Sequence, residues 1–186
     1  MVGGFLKIVF VSNYFNHHQK PFCDRMYQKL GSDFVFISTA PMREERKALG
    51  YVQNEAPEYV LLSYEGERKY KEAMALINGA DIVIAGSAPN DMVIDRIRQD
   101  KLLVRYSERP FKKKKSYVKR IYHSIRFRKR DLWRKNIYML CASAYACGDY
   151  ASVGMYKNRM YKWGYFPDLK EYDIKKLLFY KKRNNI

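Results

Sequence analysis

The sequence predicts a doubly wound, mostly parallel Rossmann-like α/β domain, with helices on both faces of its sheet. Three observations predict it. Short, near-continuous apolar runs alternate with longer stretches of helical periodicity. The runs end in polar loops that open the next helix, as βαβ units do. The chain has 186 residues, 47% of them hydrophobic, which is enough for one domain with a real core and rules out disorder as the general description.

The elements follow in order. "FLKIVFVS", from Phe5 to Ser12, reads as a first strand ending at the turn residue Asn13. "HHQKPFCDRMYQKL" places Phe22, Met26, Tyr27 and Leu30 at helical spacing and closes at Gly31. "DFVFIST" is the second strand, stopped by Pro41, and "REERKAL" a short helix ended by Gly50. "EYVLLSY" is strand-like, and "GERKYKEAMALING" is a helix stopping at Gly79. "ADIVIAGSAP" gives the clearest strand, with Pro89 expected in the first turn of the helix behind it. "KLLVRYSERP" repeats that design, "IYMLCAS" is another buried strand and "AYACGDYASVG" a short helix. "MYKWGYFP" is read as the last strand and "LKEYDIKKLLFYKKRNN" as a terminal helix with a polar tail. The expected organisation is a domain over residues 1–167, followed by a terminal helix and tail over 168–186.

The charge is uneven. Residues 111–135 hold twelve Lys or Arg against one acid, Asp131, which is +11 of the formal +17. Such a balance favours an anionic partner: nucleic acid, acidic lipid or a phosphate-bearing substrate. From Val118 the apolar residues Val118, Ile121, Tyr122, Ile125, Leu132 and Trp133 form a helical stripe. The ordinary fate of such a stripe is to pack on the sheet and leave its cations solvated.

The cysteines, Cys23, Cys141 and Cys147, are odd in number and lack a C-x-x-C, so neither a disulfide framework nor a zinc knuckle is supported. No metal is expected. No apolar run reaches the roughly 18 residues of a membrane span, and Lys7 interrupts the N-terminal apolar stretch. A cytoplasmic location is expected.

In a doubly wound sheet, ligands sit beyond the carboxyl ends of the strands. Those ends read "SNYFNHH", "STAPM", "GSAPN", "SERPF" and "SAYACG". No G-x-G-x-x-G or Walker loop occurs, which weakens dinucleotide and NTPase readings. An acidic cluster of the response-regulator kind is also missing after the first strand. His17 and His18 fall where the first helix begins, and a neutral imidazole there could take the proton of a hydroxyl. The N–H groups of the same helix start could hold an anion. The bland alternative is two exposed loop histidines, one of them stacked on Tyr14 or Phe15. Glu108 and Arg109 should project over the cleft, with Arg109 as a bidentate phosphate clamp, or else with Glu108 in a structural ion pair to a neighbouring helix. Asn13, Gln19, Ser87 and Ser143 complete the polar strand ends. The two serines either donate to a ligand or cap the following helices, the ordinary role of serine there.

The segments "KIVFVSNYFNHHQKPFCDRMY", "DIVIAGSAPNDMV", "LLVRYSERPFK" and "CASAYACGDYASVGMYKNRMYKWGYFP" together resemble the N-terminal half of bacterial GT-B glycosyltransferases of capsule, exopolysaccharide and cell-wall glycan synthesis. The resemblance covers nearly the whole chain and rests on the order and spacing of these motifs. It implies an acceptor-binding domain that works with a second Rossmann-like domain holding a nucleotide-sugar donor, with no covalently bound cofactor. It places Asn13–Gln19, Ser87 and Glu108–Arg109 toward the acceptor and the reacting carbon, with His17 or His18 as the base of an inverting member. The E-x7-E pattern of retaining donor domains is absent, since Glu108 is followed eight on by Ser116 and Glu171 by Phe179. The chain is therefore expected to be an acceptor domain alone, inactive without its donor partner.

A glycan or lipid-linked acceptor would suit attachment to the inner face of an anionic membrane. The contacts expected there are Lys112, Lys113, Lys114, Lys115, Lys119, Arg120, Arg126, Arg128, Lys129 and Arg130. The rival is a nucleic-acid-binding module using residues 111–135, with Tyr117, Tyr122, Phe127 and Trp133 interleaved among the cations. No zinc finger, RRM signature or helix-turn-helix pattern accompanies that charge, so no specific nucleic acid is expected.

Overall fold

A computed structural model describes residues 6–48, 56–111, 116–167 and 173–183. Among the described residues, seven strands form one parallel sheet: β1 (Ile8–Ser12), β2 (Phe34–Ser38), β3 (Val60–Leu62), β4 (Ile82–Ala85), β5 (Leu103–Ser107), β6 (Ile137–Cys141) and β7 (Met160–Lys162). Their spatial order is β3-β2-β1-β4-β5-β6-β7. The chain therefore winds outward from β1 in one direction, returns, and winds outward from β4 in the other. β1 and β4 are neighbours, with Val9 beside Val83 and Val11 beside Ala85. The switch point of the sheet lies between them.

The helices are α1 (Lys20–Leu30), α2 (Glu44–Arg46), α3 (Glu67–Gly79), α4 (Asp91–Arg98), α5 (Tyr117–Arg130), α6 (Ala146–Ala151) and α7 (Ile174–Arg183). The side-chain period of two along each strand feeds two separate cores. Val9 and Val11 join Ala73 and Ile77 of α3, Val93 and Ile97 of α4, and Ala146 and Tyr150 of α6. Phe10, between them in sequence, joins Phe34, Phe36 and Cys23 of α1 instead. This is why the strands read as continuous apolar runs.

Several boundaries differ from the sequence expectation. Pro89 lies two residues ahead of α4, where its fixed φ shapes the loop and costs the helix no N–H. Within "REERKAL" the α-helix is the short α2, and Leu49 and the Gly50 expected to end it lie outside the described residues. Leu132 and Trp133 follow α5 with φ of 47° and 58°, so the helix stops at Arg130 and these two residues reverse the chain toward β6.

Two buried arginines bind the layers together. Arg96 of α4, fully buried, donates to the carbonyls of Ile77 (3.0 Å), Ala80 (2.7 Å), Asp81 (2.7 Å) and Leu102 (2.8 Å). It thereby satisfies carbonyls at the C-terminal end of α3 that the helix cannot satisfy itself. Arg105 of β5 pairs with Asp131 just past α5 at 2.8 Å. Arg130 and the Tyr156 hydroxyl also bind Asp131.

Candidate ligand-binding cleft

At the carboxyl ends of β1, β4 and β5 the sheet opens into a cleft of about 530 Å³. Ser12 and Asn13 from the end of β1, Ser87 after β4, and Tyr106, Ser107 and Glu108 at the end of β5 form its floor and one wall. The loop into α1 supplies Tyr14, Asn16, His18 and Gln19, and α2 supplies Arg46. Tyr165, three residues past β7, completes the lining.

The switch point permits this opening because β1 and β4 send their loops in opposite directions. Gly86 sits where they part. A Cβ there would lie 2.9 Å from Ser12 Oγ and 3.4 Å from Tyr106 Cδ1, so only glycine lets the strands approach so closely.

The wall at α1 is built locally. Asn16 accepts from the His18 amide through its side chain (2.9 Å) and from the Gln19 and Lys20 amides through its carbonyl (3.0 and 3.1 Å). Those bonds turn the chain and set His18 and Gln19 toward the cleft. The His18 ring packs 5.0 Å from Tyr165 and 3.8 Å from His17. The segment after β7 folds back over α1, with Phe22 against Trp163 at 5.2 Å and the Phe166 amide donating to the His18 carbonyl. The Tyr165 hydroxyl donates to Glu108, tying the two sides of the cleft together.

Electrostatically the lining is nearly neutral. Burial, reinforced by Glu108, pushes the Tyr106 phenol up to about 12. Burial and its bond to Glu108 push Tyr165 up as well. Both phenols therefore remain protonated donors at neutral pH. Gln19 is buried, and its Oε1 has no hydrogen-bond partner although it lies at the cleft. A buried amide acceptor in that state suits a ligand hydroxyl.

The expected residues separate into groups. Asn13, His18, Gln19, Ser87 and Glu108 line the cleft together. His17 is outside the lining and packs against His18, whose ring also meets Tyr165.

Arg109 turns away from the cleft. Its Nε and Nη2 hold Asp149 of α6 at 2.9 and 3.2 Å, and its guanidinium lies 5.0 Å from the Tyr145 ring. The fork expected to clamp a phosphate is already filled by a carboxylate.

Much of the donor set at the start of α1 is already committed. The Lys20 and Cys23 amides bond to Asn16 and Gln19, and Pro21 has no N–H. Neither Ser87 nor Ser143 caps a helix through its side chain. Ser87 faces the cleft, while the Ser143 hydroxyl is buried outside its lining.

Of the cations expected on one exposed face, Lys119, Arg126 and Lys129 are exposed. Arg130 is drawn inward to Asp131, Arg128 bonds the Gly154 carbonyl at 3.0 Å, and Arg120 is half-buried. Lys112–Lys115 lie outside the described residues.

Sequence reasoning did not single out Ser12, Arg46, Tyr106, Ser107 or Tyr165, and it reached Tyr14 and Asn16 only as members of the loop Asn13–Gln19. Ser12, Tyr14, Asn16 and Ser107 carry the signal of standing at strand ends. Tyr106 lies within a strand and Tyr165 beyond the last one, so no local pattern marks them.

Among the described residues, no group of His, Cys, Asp and Glu could hold a metal ion, and no helix is long and apolar enough to cross a membrane. No family model, curated protein or solved structure matches this chain. Fold and cleft together define a Rossmann-like α/β domain with a polar cleft at its switch point.

Proposed function

We propose that this chain is the acceptor-binding domain of a two-domain glycosyltransferase acting on a glycan or lipid-linked sugar at the cytoplasmic face of a membrane. The observation that carries this reading is the character of the cleft. It is lined mainly by neutral hydroxyl and amide groups, with the Gln19 acceptor buried and unpartnered. A polyhydroxylated ligand matches such a lining better than a nucleotide, because Arg46 is the one Lys or Arg among the described lining residues and phosphates call for several cations or unused N–H groups.

In the complete enzyme a second domain presents a nucleotide-sugar across this cleft. The acceptor hydroxyl attacks the anomeric carbon, the bond to the nucleoside diphosphate breaks, and His18 takes the hydroxyl proton. Tyr106 and Tyr165, held protonated, position the acceptor and take no part as bases.

Ligand-observed NMR with a panel of oligosaccharides and nucleotide-sugars tests the proposal. Oligosaccharide binding that Gln19→Ala and His18→Ala weaken, with little affinity for nucleotide-sugars, is the expected result. Tight nucleotide-sugar binding, or sugar transfer by the 186-residue chain by itself, would overturn the acceptor-domain reading. The exposed Tyr117, Tyr122 and Trp133 among the cations favour a second reading, a single-stranded nucleic-acid surface. Sequence-selective binding of an oligonucleotide in the same assay would support it.

A further inference from the structure

Helix α5 has two apolar faces, and only one is covered. Phe127 packs on Tyr150 (5.5 Å between centroids), His123 lies against Phe111 (5.1 Å), and the Ser124 hydroxyl donates to the Val153 carbonyl at 2.8 Å. The other face carries Val118, Ile121, Tyr122 and Ile125, with 74, 45, 61 and 44% of their surface exposed. Their spacing of i, i+3, i+4 and i+7 places all four within an arc of about 100°. The stripe expected to pack on the sheet is therefore bare. Past the helix end, Leu132 and Trp133 are exposed as well, Trp133 by 65%, with the Arg128 guanidinium 5.7 Å from its ring.

Charge decides what covers this face. Lys119, Arg126 and Lys129 are exposed along it, and Arg134 and Lys135 follow Trp133. Helix α5 contains no acid, and the nearest, Asp131, is buried in its own ion pairs. A second copy of this chain would bring like charges together. Nucleic acid would match the cations but leave Val118, Ile121 and Ile125 against phosphate and sugar. An apolar crown edged by cations and followed by a tryptophan is complementary to the headgroup boundary of an anionic leaflet.

We infer that α5 lies in the plane of an anionic bilayer surface with Val118, Ile121, Tyr122 and Ile125 inserted and Trp133 at the headgroup level. This deepens the membrane attachment in the preceding proposal, from attraction by charge to insertion by one named face. Helix α5 begins at the edge of the sheet where the cleft opens, since it follows the carboxyl end of β5. Docking through its first turns keeps the cleft near the lipid.

Phosphatidylglycerol/phosphatidylcholine vesicles, with and without brominated acyl chains, test the inference with the full chain. Co-sedimentation should require the anionic lipid, and brominated chains should quench fluorescence in the parent but much less in Trp133→Phe. Ile121→Ser/Ile125→Ser alters only exposed positions. With circular dichroism unchanged, it should lower partitioning about tenfold or more, because two half-exposed isoleucines no longer leave water. Arg126→Gln/Lys129→Gln should weaken binding and flatten its salt dependence.

Failure to bind anionic vesicles, or equal binding to pure phosphatidylcholine, overturns the inference. So does anionic binding that the double isoleucine variant leaves intact, although charge-driven attachment would then stand. Vesicle binding by a chain that binds no glycan supports this inference and removes the acceptor-domain reading. Displacement from vesicles by single-stranded DNA, with the isoleucine variant binding DNA as the parent does, leaves the inference standing. DNA binding without vesicle binding overturns it.

Discussion

Arg105 and Asp131, 26 residues apart in sequence, meet at 2.8 Å inside the fold, with only 7 and 3% of their side chains exposed. Arg105 belongs to a central strand and Asp131 to the end of α5, so this pair fastens the basic helix to the sheet. Burial raises the Asp131 carboxyl, but Arg105 and Arg130 lower it further, and the net shift is below the usual carboxylate range.

The sign of that shift fixes a pH dependence. A carboxylate with a depressed native pKa contributes stability above its unfolded value, about 3.9, that is lost as the pH falls through the native value. Asp131→Asn should lower unfolding stability near neutral pH by about 3–5 kcal/mol, since it leaves buried arginines without their counter-charge. Urea denaturation from neutral pH down to about pH 3 checks this. The gap between parent and variant should be constant down to about pH 5 and narrow below about pH 4.

Gly86→Ala tests the close approach at the switch point. The new methyl group would press on both Oγ and Cβ of Ser12, at 2.9 and 3.3 Å, so the strand ends must separate. A loss of about 1–3 kcal/mol is expected from such overpacking. Denaturant unfolding measures it, and affinity for the cleft's ligand should fall with it.

Arg109 and Asp149 give a prediction about order more than binding. Asp149 accepts from Arg109 and also from the Phe111 amide at 3.2 Å. Asp149→Asn should loosen the loop after β5, lower the thermal midpoint and speed hydrogen exchange at the Phe111 amide. Arg109→Lys should have the same signature in a weaker form while leaving ligand affinity unchanged. A large loss of affinity in Arg109→Lys would restore the phosphate-clamp role.

The two histidines should separate in the complete enzyme. His18→Ala should lower kcat by about 10²-fold or more, as expected for a positioned base. His17→Ala, one residue away but outside the lining, should cost far less. Steady-state kinetics of both variants decides it, and equal activity in both would sink the base assignment.

Arg96→Met keeps the length of the side chain and removes its donors. Four carbonyls then lose their partner inside the fold. The expected cost is several kcal/mol, at roughly 1–3 for each buried polar group left unsatisfied and less where the backbone relaxes. Equilibrium unfolding measures it.

The sequence by itself determined the class of fold and the edge of the sheet where a ligand would sit. Runs such as Ile82–Ala85 and Ile137–Cys141 are strands because of local composition, and alternation with helices admits few topologies. The strand ends mark the cleft for the same local reason, so Asn13, Gln19, Ser87 and Glu108 are legible in the sequence as cleft residues. Only the tertiary structure decided what depends on partners distant in sequence. It gave Arg109 to Asp149 and Arg105 to Asp131, put His18 rather than His17 in the wall, and brought Tyr165 back from beyond β7. Arg96, in an otherwise ordinary amphipathic helix, looks like a surface cation until the end of α3 is placed against it. Helix α5 shows the limit most plainly. Periodicity located its apolar stripe, but a stripe carries no record of which side the sheet will take. Phe127 and Asp131 fix that side by packing and ion pairing, leaving Val118, Ile121, Tyr122 and Ile125 exposed.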